Sequence, residues 1–227
     1  MRFYSNFREA ISEIRRDLAE MGVLIRPKTY QDRRVEGDPA FDTLELDNYV
    51  YCVLNPDTQY LHPTQPWADA EFEERICGRP VNPGIAWTLR DDVWETFLDP
   101  LTGKFAYTYA ERFSQNEQID RIIQRLKEDP ESRQLFLSMW NADDITKIGG
   151  VSRVPCTLGY LFQFRRGALN LTYLQRSSDF VTHFQNDVYL AVRMLEYVAG
   201  KTGLPVGTYT HWLGSLHTFR KDSLRVF

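Results

Sequence analysis

Two short stretches carry the residues best able to do chemistry. Pro155-Cys156 places a thiol at the start of an apolar run, and Gln175-Arg176-Ser177-Ser178-Asp179 follows on the far side of the turn Arg165-Arg166-Gly167. A lone cysteine is more often a small buried packing residue than a nucleophile. An arginine on the paired strand changes that balance. Its positive charge favours the thiolate, lowering a free cysteine from about 8.5, and its forked donors suit a phosphate. An ion pair between Arg176 and Asp179 is the plainer alternative. No histidine follows the cysteine, where Thr157 stands, so a cysteine hydrolase using His183 or His217 as base has no special support.

The elements that must position these residues can be read from periodicity. Phe7, Ile11, Ile14, Leu18 and Met21 form the stripe of an amphipathic helix ended by Gly22. The polar run from Arg26 to Asp47 predicts a loop or loose hairpin carrying Arg26, Lys28, Arg33 and Arg34. Leu44 to Leu54 predicts a strand, Trp67 to Cys77 a helix, and Leu101 to Thr108 a turn feeding an extended piece. Ile119, Ile122, Ile123 and Leu126 mark a helix ending before Asp129-Pro130. The stretches 135–140, 158–164 and 168–175 predict strands, the last two joined as a hairpin through Arg165-Arg166-Gly167. Val188, Ala191, Leu195 and Val198 predict a helix closing at Gly200, and Thr208 to Leu213 a last strand. Helices mixed with mostly hairpin-connected strands point to an α+β fold, and the length of 227 residues fits a single domain over 1–227.

Composition narrows the function classes. Hydrophobic residues make up 43%, charged residues 26% and aromatics 14%, the signature of a globular chain with flat-walled pockets or interfaces. A net charge of −4 argues against a general nucleic-acid or membrane-surface binder. Three cysteines without a CxxC favour neither a disulfide framework nor a zinc ribbon, and point to a reducing cytoplasmic setting. No targeting segment or run of ~20 apolar residues is present.

Four motifs in order, Asp129-Pro130-x-Ser132-Arg133, Pro155-Cys156, Gln175-Arg176-Ser177-x-Asp179 and Gly214-Ser215-Leu216-His217, resemble those of thymidylate synthases and their nucleotide hydroxymethylase relatives, over about 71–219. The resemblance implies a thymidylate synthase-like fold, with a mixed, mostly antiparallel sheet flanked by helices and a sheet-to-sheet homodimer. It also implies one-carbon transfer from 5,10-methylenetetrahydrofolate to C5 of a pyrimidine nucleoside monophosphate, without a metal. Because C5 is a poor nucleophile, a thiolate must first add at C6. On this resemblance Cys156 is that nucleophile and Glu71 the base acting through water. Tyr109 and Asp179 complete the catalytic set, and Trp94 with Asp179 meets the folate. Arg176 and Ser177 hold the phosphate, joined by Arg133 from the second subunit, and His217 meets the sugar. Core packing is the plainer alternative for Trp94 and Tyr109, and a solvated helix face for Glu71.

The departures from the thymidylate synthase pattern are informative. Gln134 stands where a second arginine is usual, so Arg26 is a candidate to compensate. Phe219 replaces a tyrosine that bonds the sugar, and Thr157 replaces a histidine. Asp187 replaces an asparagine that reads uracil. A carboxylate can accept from the N4 amino group of cytosine, and both Cys-Thr and Asn-Asp are similar to phage-type deoxycytidylate hydroxymethylases. A first-turn helix acid is the competing reading of Asp187. The expectation is therefore hydroxymethylation of dCMP or CMP. Thymidylate synthase, a dCMP methylase and a noncatalytic nucleotide- or RNA-binding dimer are the alternatives.

Overall fold

The structure, a computed structural model, describes residues 1–30, 33–148 and 152–222. Seven strands form one sheet: β1 (Arg2–Tyr4), β2 (Val23–Ile25), β5 (Thr43–Val53), β6 (Phe136–Ser138), β7 (Thr157–Arg165), β8 (Ala168–Asp179) and β9 (Val206–Phe219). The remaining strands, β3 (Thr29–Tyr30) and β4 (Arg33–Arg34), make a separate small hairpin. The helices are α1 (Phe7–Met21), α2 (Trp67–Ile76), α3 (Asp91–Trp94), α4 (Tyr109–Ser114), α5 (Gln118–Glu128) and α6 (Phe184–Thr202).

The sheet order is β1-β5-β9-β8-β7-β6, with β2 pairing beside β5. It is mixed: β1 runs parallel to β5 and β8 parallel to β9, while the other neighbours are antiparallel. The parallel β8–β9 pair departs from the hairpin-dominated expectation. α6 is the crossover that a parallel connection requires, and it packs on both strands.

Helix α1 forms where the sequence places it. Asn6 accepts from the Glu9 N–H and the Glu9 carboxylate accepts from the Ser5 N–H, at 3.1 and 2.7 Å. Its buried face is Phe7, Ala10, Ile14, Asp17 and Leu18, whereas Met21, expected on that face, is exposed. The last helix does not close at Gly200, which lies inside α6; Gly203, at φ 73°, supplies the left-handed cap. After the turn at Asp99, whose side chain accepts from Leu101 and Thr102, residues 104–108 form no strand. The loop expectations at 31–32 and 149–151 lie outside the described residues.

Strand alternation sorts the two faces. Tyr51, Tyr160, Phe162, Leu171, Tyr173 and Tyr209 point to a continuous aromatic-rich core, where they meet Phe7 of α1, Phe113 of α4 and Phe184 of α6. Helices cover this face. On the opposite face Val50, Leu161, Thr172, Leu174 and Trp212 are only half-buried, with Phe136 exposed beside them. No helix among the described residues is long and apolar enough to cross a membrane.

Candidate active site

Cys156 sits at the entrance to β7, where a bulge between Thr157 and Gly159 shifts the pairing with β8. Gly159 is required there: a Cβ would lie 2.6 Å from the Leu137 carbonyl oxygen on β6. Across the pair, the Arg176 N–H donates to the Cys156 carbonyl at 2.8 Å. The guanidinium turns back on the same segment, with Nε 2.9 Å from Pro155 O and Nη2 3.1 Å from Val154 O. Nη2 also lies 3.7 Å from Cys156 Sγ. Burial raises the Cys156 thiol, Asp187 adds to that rise, and Arg176 and Arg153 pull it down. The Arg176–Asp179 ion pair does not form, since Asp179 instead accepts from the Val181 N–H at 3.0 Å. Among the described residues no imidazole hydrogen-bonds Cys156, so the dyad of a cysteine hydrolase is absent. His217 pairs with Ser215, and burial depresses both His183 and His217.

Asp187 occupies the first turn of α6, and its N–H donates to His183 O at 2.9 Å. Its side chain does more than the first-turn reading requires. Oδ2 accepts from Gln175 Nε2 at 2.6 Å and from Ser178 Oγ at 3.3 Å, which ties the helix start to β8. Thr157 stands in a second polar line, accepting or donating between Tyr109 OH at 2.7 Å and Tyr173 OH at 2.6 Å.

The other wall is an open cleft of about 550 Å3 lined by Trp67, Trp87, Trp94, Tyr107 and Tyr109 together with Glu71 and Arg153. Glu71 is half-buried and paired with Arg75 Nε at 2.8 Å, and Arg75 lies over the Tyr109 ring at 3.6 Å. Burial raises the Glu71 carboxyl, opposed by Arg75. Its neighbours have different surroundings. Glu73 is exposed, and Glu74 accepts from the Ile85 and Ala86 N–H groups at 2.6 and 2.9 Å. Trp94 stacks on Trp67 with 6.0 Å between centroids. Arg153, which the sequence did not single out, lies 5.3 Å from the Trp94 ring centre and 4.0 Å from that of Phe97. Among the described residues, Trp94 Nε1 and Arg153 Nε are buried without a protein partner. Flat aromatic walls with three unspent donors, Trp67 Nε1 being the third, fit a polar, planar ring system such as a reduced folate.

At the C-terminal end of β8, the parallel register sets Ser177 opposite Ser215 and Asp179 opposite His217. Phe219 is buried, and with Phe41 it packs against Tyr30, whose ring lies 5.4 Å from each. Burial raises the Tyr30 hydroxyl, and Asp179 and Cys156 raise it further, which places this residue of the β3–β4 hairpin near the site. Tyr30 carried no sequence signal because it sits in a polar turn-rich run. Arg133 is exposed, and Arg26 is exposed and faces Asp42 at 3.8 Å; neither contacts Cys156 or Arg176 among the described residues. The described residues contain no cluster of three or more His, Cys, Asp or Glu able to hold a metal.

The thymidylate synthase family profile matches residues 81–225. That stretch holds every candidate site residue except Glu71 and Arg26, and starts later than the expected 71. A Methanosarcina mazei protein named "Putative thymidylate synthase" is 35% identical over 220 residues, 89% of this chain and 92% of that one. A Methanosarcina barkeri protein of the same name is 36% identical over 125 residues, 53% of this chain, and the match spans only 56% of that relative's length. The thermostable thymidylate synthase A from Bacillus subtilis superposes with a TM-score of 0.75 at 19% identity, covering 97% of this chain and 82% of that chain. That likeness supports the fold.

Proposed function

The chain belongs to the thymidylate synthase family, and from that premise we propose that it transfers a one-carbon unit to C5 of a pyrimidine nucleoside monophosphate. The observation that carries the reading is the Cys156–Arg176 pair, a half-buried thiol 3.7 Å from a guanidinium that is itself fixed to two backbone carbonyls. The thiolate adds to C6 of the pyrimidine, which makes C5 nucleophilic. Glu71, held ready by Arg75, moves the C5 proton through water. A reduced folate supplies the one-carbon unit when bound, and Trp87, Trp94, Tyr107 and Arg153 would hold it in the aromatic cleft. Arg176 with Ser177 meets the phosphate, His217 the sugar, and Asp179 the folate. A thiol nucleophile must stay reduced, which supports a cytoplasmic setting.

The names of the relatives favour methylation of dUMP over the hydroxymethylation expected from the sequence. Asp187 supports a second reading, with cytosine as the base. Its carboxylate already accepts from Gln175 and Ser178 and offers the base an acceptor, which suits the N4 amino group and opposes O4 of uracil. The half-buried apolar face of the sheet supports the homodimer. It is the surface a second copy would cover, bringing Arg133 to the partner's phosphate site.

Mass spectrometry of products formed from dUMP, dCMP and CMP with methylenetetrahydrofolate tests the proposal. Addition of CH2 to dUMP establishes thymidylate synthesis, and addition of CH2O to a cytosine nucleotide establishes the second reading. No adduct or product with any of the three overturns the one-carbon reading.

A further inference from the structure

Beneath the base-reading corner lies a histidine to which the reaction gives no task. His211, on β9, has no solvent exposure and is boxed by four rings: Tyr173 at 4.7 Å, Tyr51 at 5.5 Å, Tyr209 at 5.7 Å and Phe184 at 5.9 Å between centroids. Only its two nitrogens are left to bond. Nε2 lies 3.1 Å from Gln175 Oε1, and Nδ1 lies 3.1 Å from Tyr51 OH.

The chemistry of the partners fixes the direction of every hydrogen bond in this line. The Asp187 carboxylate can only accept, so the nitrogen of the Gln175 amide must face it. Oε1 of Gln175 is then the atom facing His211, and a carbonyl oxygen can only accept, so His211 Nε2 carries the hydrogen. Burial holds His211 neutral, which leaves Nδ1 as an acceptor for the Tyr51 hydroxyl.

We propose that His211 is a positioning residue for base recognition: its Nε2–H locks the Gln175 amide with the nitrogen toward Asp187, and so keeps Asp187 a fixed acceptor at the edge of the pyrimidine. The proposal rests on the reading that this site binds a pyrimidine nucleotide. Without His211, the Gln175 amide is held at its nitrogen alone, and the amide and the Asp187 carboxylate bonded to it can swing away from the edge of the base. The enzyme would then lose discrimination between cytosine and uracil while still holding sugar and phosphate. His211 acts through Gln175 and touches no substrate atom itself.

The test is calorimetric binding of dCMP, CMP and dUMP to the full chain, comparing wild type, His211→Phe and Tyr51→Phe. Phenylalanine keeps a ring in the aromatic box and removes both nitrogens; Tyr51→Phe removes only the hydroxyl that orients the imidazole. The expected result is that wild type separates the two bases by about tenfold or more, a size expected of one well-placed hydrogen-bond pattern. His211→Phe brings that ratio within about threefold of unity, and Tyr51→Phe moves it part of the way. With Asp187→Asn, whose amide can itself present either end, His211→Phe changes the ratio by less than about twofold. A purely structural role would weaken all three nucleotides equally and act alike in both backgrounds, and that outcome overturns the proposal. So does an unchanged ratio in a His211→Phe protein that melts like wild type, or in Tyr51→Phe if the first variant does not fold. A wild type that binds none of the nucleotides overturns the underlying functional reading, and a wild type that binds both bases equally overturns this inference alone.

Discussion

The two walls of the site are built on different principles. The wall holding Cys156, Gln175, Arg176 and Asp187 is sheet: backbone register between β7, β8 and β9 places the residues, and their hydrogen bonds run to carbonyls, a carboxylate and an imidazole. The wall holding Glu71, Trp94 and Arg153 is made of short helices and loops, and it leaves the Trp94 indole N–H and Arg153 Nε buried without partners among the described residues. A buried donor without a partner costs stability, on the order of 1–3 kcal/mol. Gln175, Arg176 and Asp187 on the sheet wall are therefore paired within the protein, whereas the cleft wall keeps donors that a ligand would meet. The first suits a group that must be aimed at a single carbon atom, the second a group that must enter and leave.

The largest effect belongs to the sheet wall. Cys156→Ser should lower turnover by about 10^4-fold or more, with nucleotide affinity within a few-fold of wild type, because the sheet still presents Arg176 and Asp187. Measured turnover within tenfold of wild type would show that the thiol adds to nothing. Next comes Glu71→Gln, expected to cost about 10^2- to 10^4-fold in kcat. The pH profile adds a sign. A base must be ionised to work, and burial raises the Glu71 carboxyl above the ordinary glutamate range. Wild-type kcat should therefore fall as pH drops through that raised value, and Glu71→Gln should lose this acid limb. A limb that persists in the variant assigns the proton to another group.

On the cleft wall a smaller effect with a different signature is expected. Trp94→Ala should raise the folate KM by about tenfold while the affinity for nucleotide alone changes less than about threefold, since Trp94 meets the cleft and not the strand edge. Equal losses for both ligands would mean that the two walls fold as one unit, and the contrast between them would fail.

The same contrast explains how much can be read from the sequence. The sheet wall is legible because strand periodicity and one hairpin place Cys156 beside Arg176, and because Asp187 follows at a fixed distance on the helix that β8 feeds. The parallel return of β9 is not legible from Thr208 to Leu213 alone, and with it goes the pairing of His211 with Gln175. Glu71 can be singled out, but its distinction from Glu73 and Glu74 needs the fold: one is exposed, one caps a turn at Ile85, and Glu71 is the one of the three paired with an arginine. Arg153 lies in an irregular segment and Tyr30 in a strand of two residues, where neither period nor spacing says which way a side chain turns. The end of α6 falls later than its glycine pattern suggests because Gly200 is an ordinary helical glycine and Gly203 is the one in the left-handed region.

The two rim arginines give the smallest effects and the finest division. Both are exposed, and neither reaches Arg176 within one chain. Arg26 faces Asp42 at 3.8 Å, and Arg220 faces the same carboxylate oxygen at 3.8 Å, so removing Arg26 leaves Asp42 still paired. Exposed pairs of this kind contribute little, and Arg26→Ala should change nucleotide affinity by less than about twofold. Arg133 lies between α5 and β6, next to the strand that carries Phe136 on the uncovered face of the sheet. If a second copy covers that face, Arg133→Ala should weaken nucleotide binding by about tenfold in the dimer, and dilution below the dimer's dissociation constant should weaken wild type to the same level. Comparable losses for Arg26→Ala and Arg133→Ala would place the phosphate-binding charge on the hairpin side instead, and Arg26 would then replace Arg133 as the phosphate's second arginine.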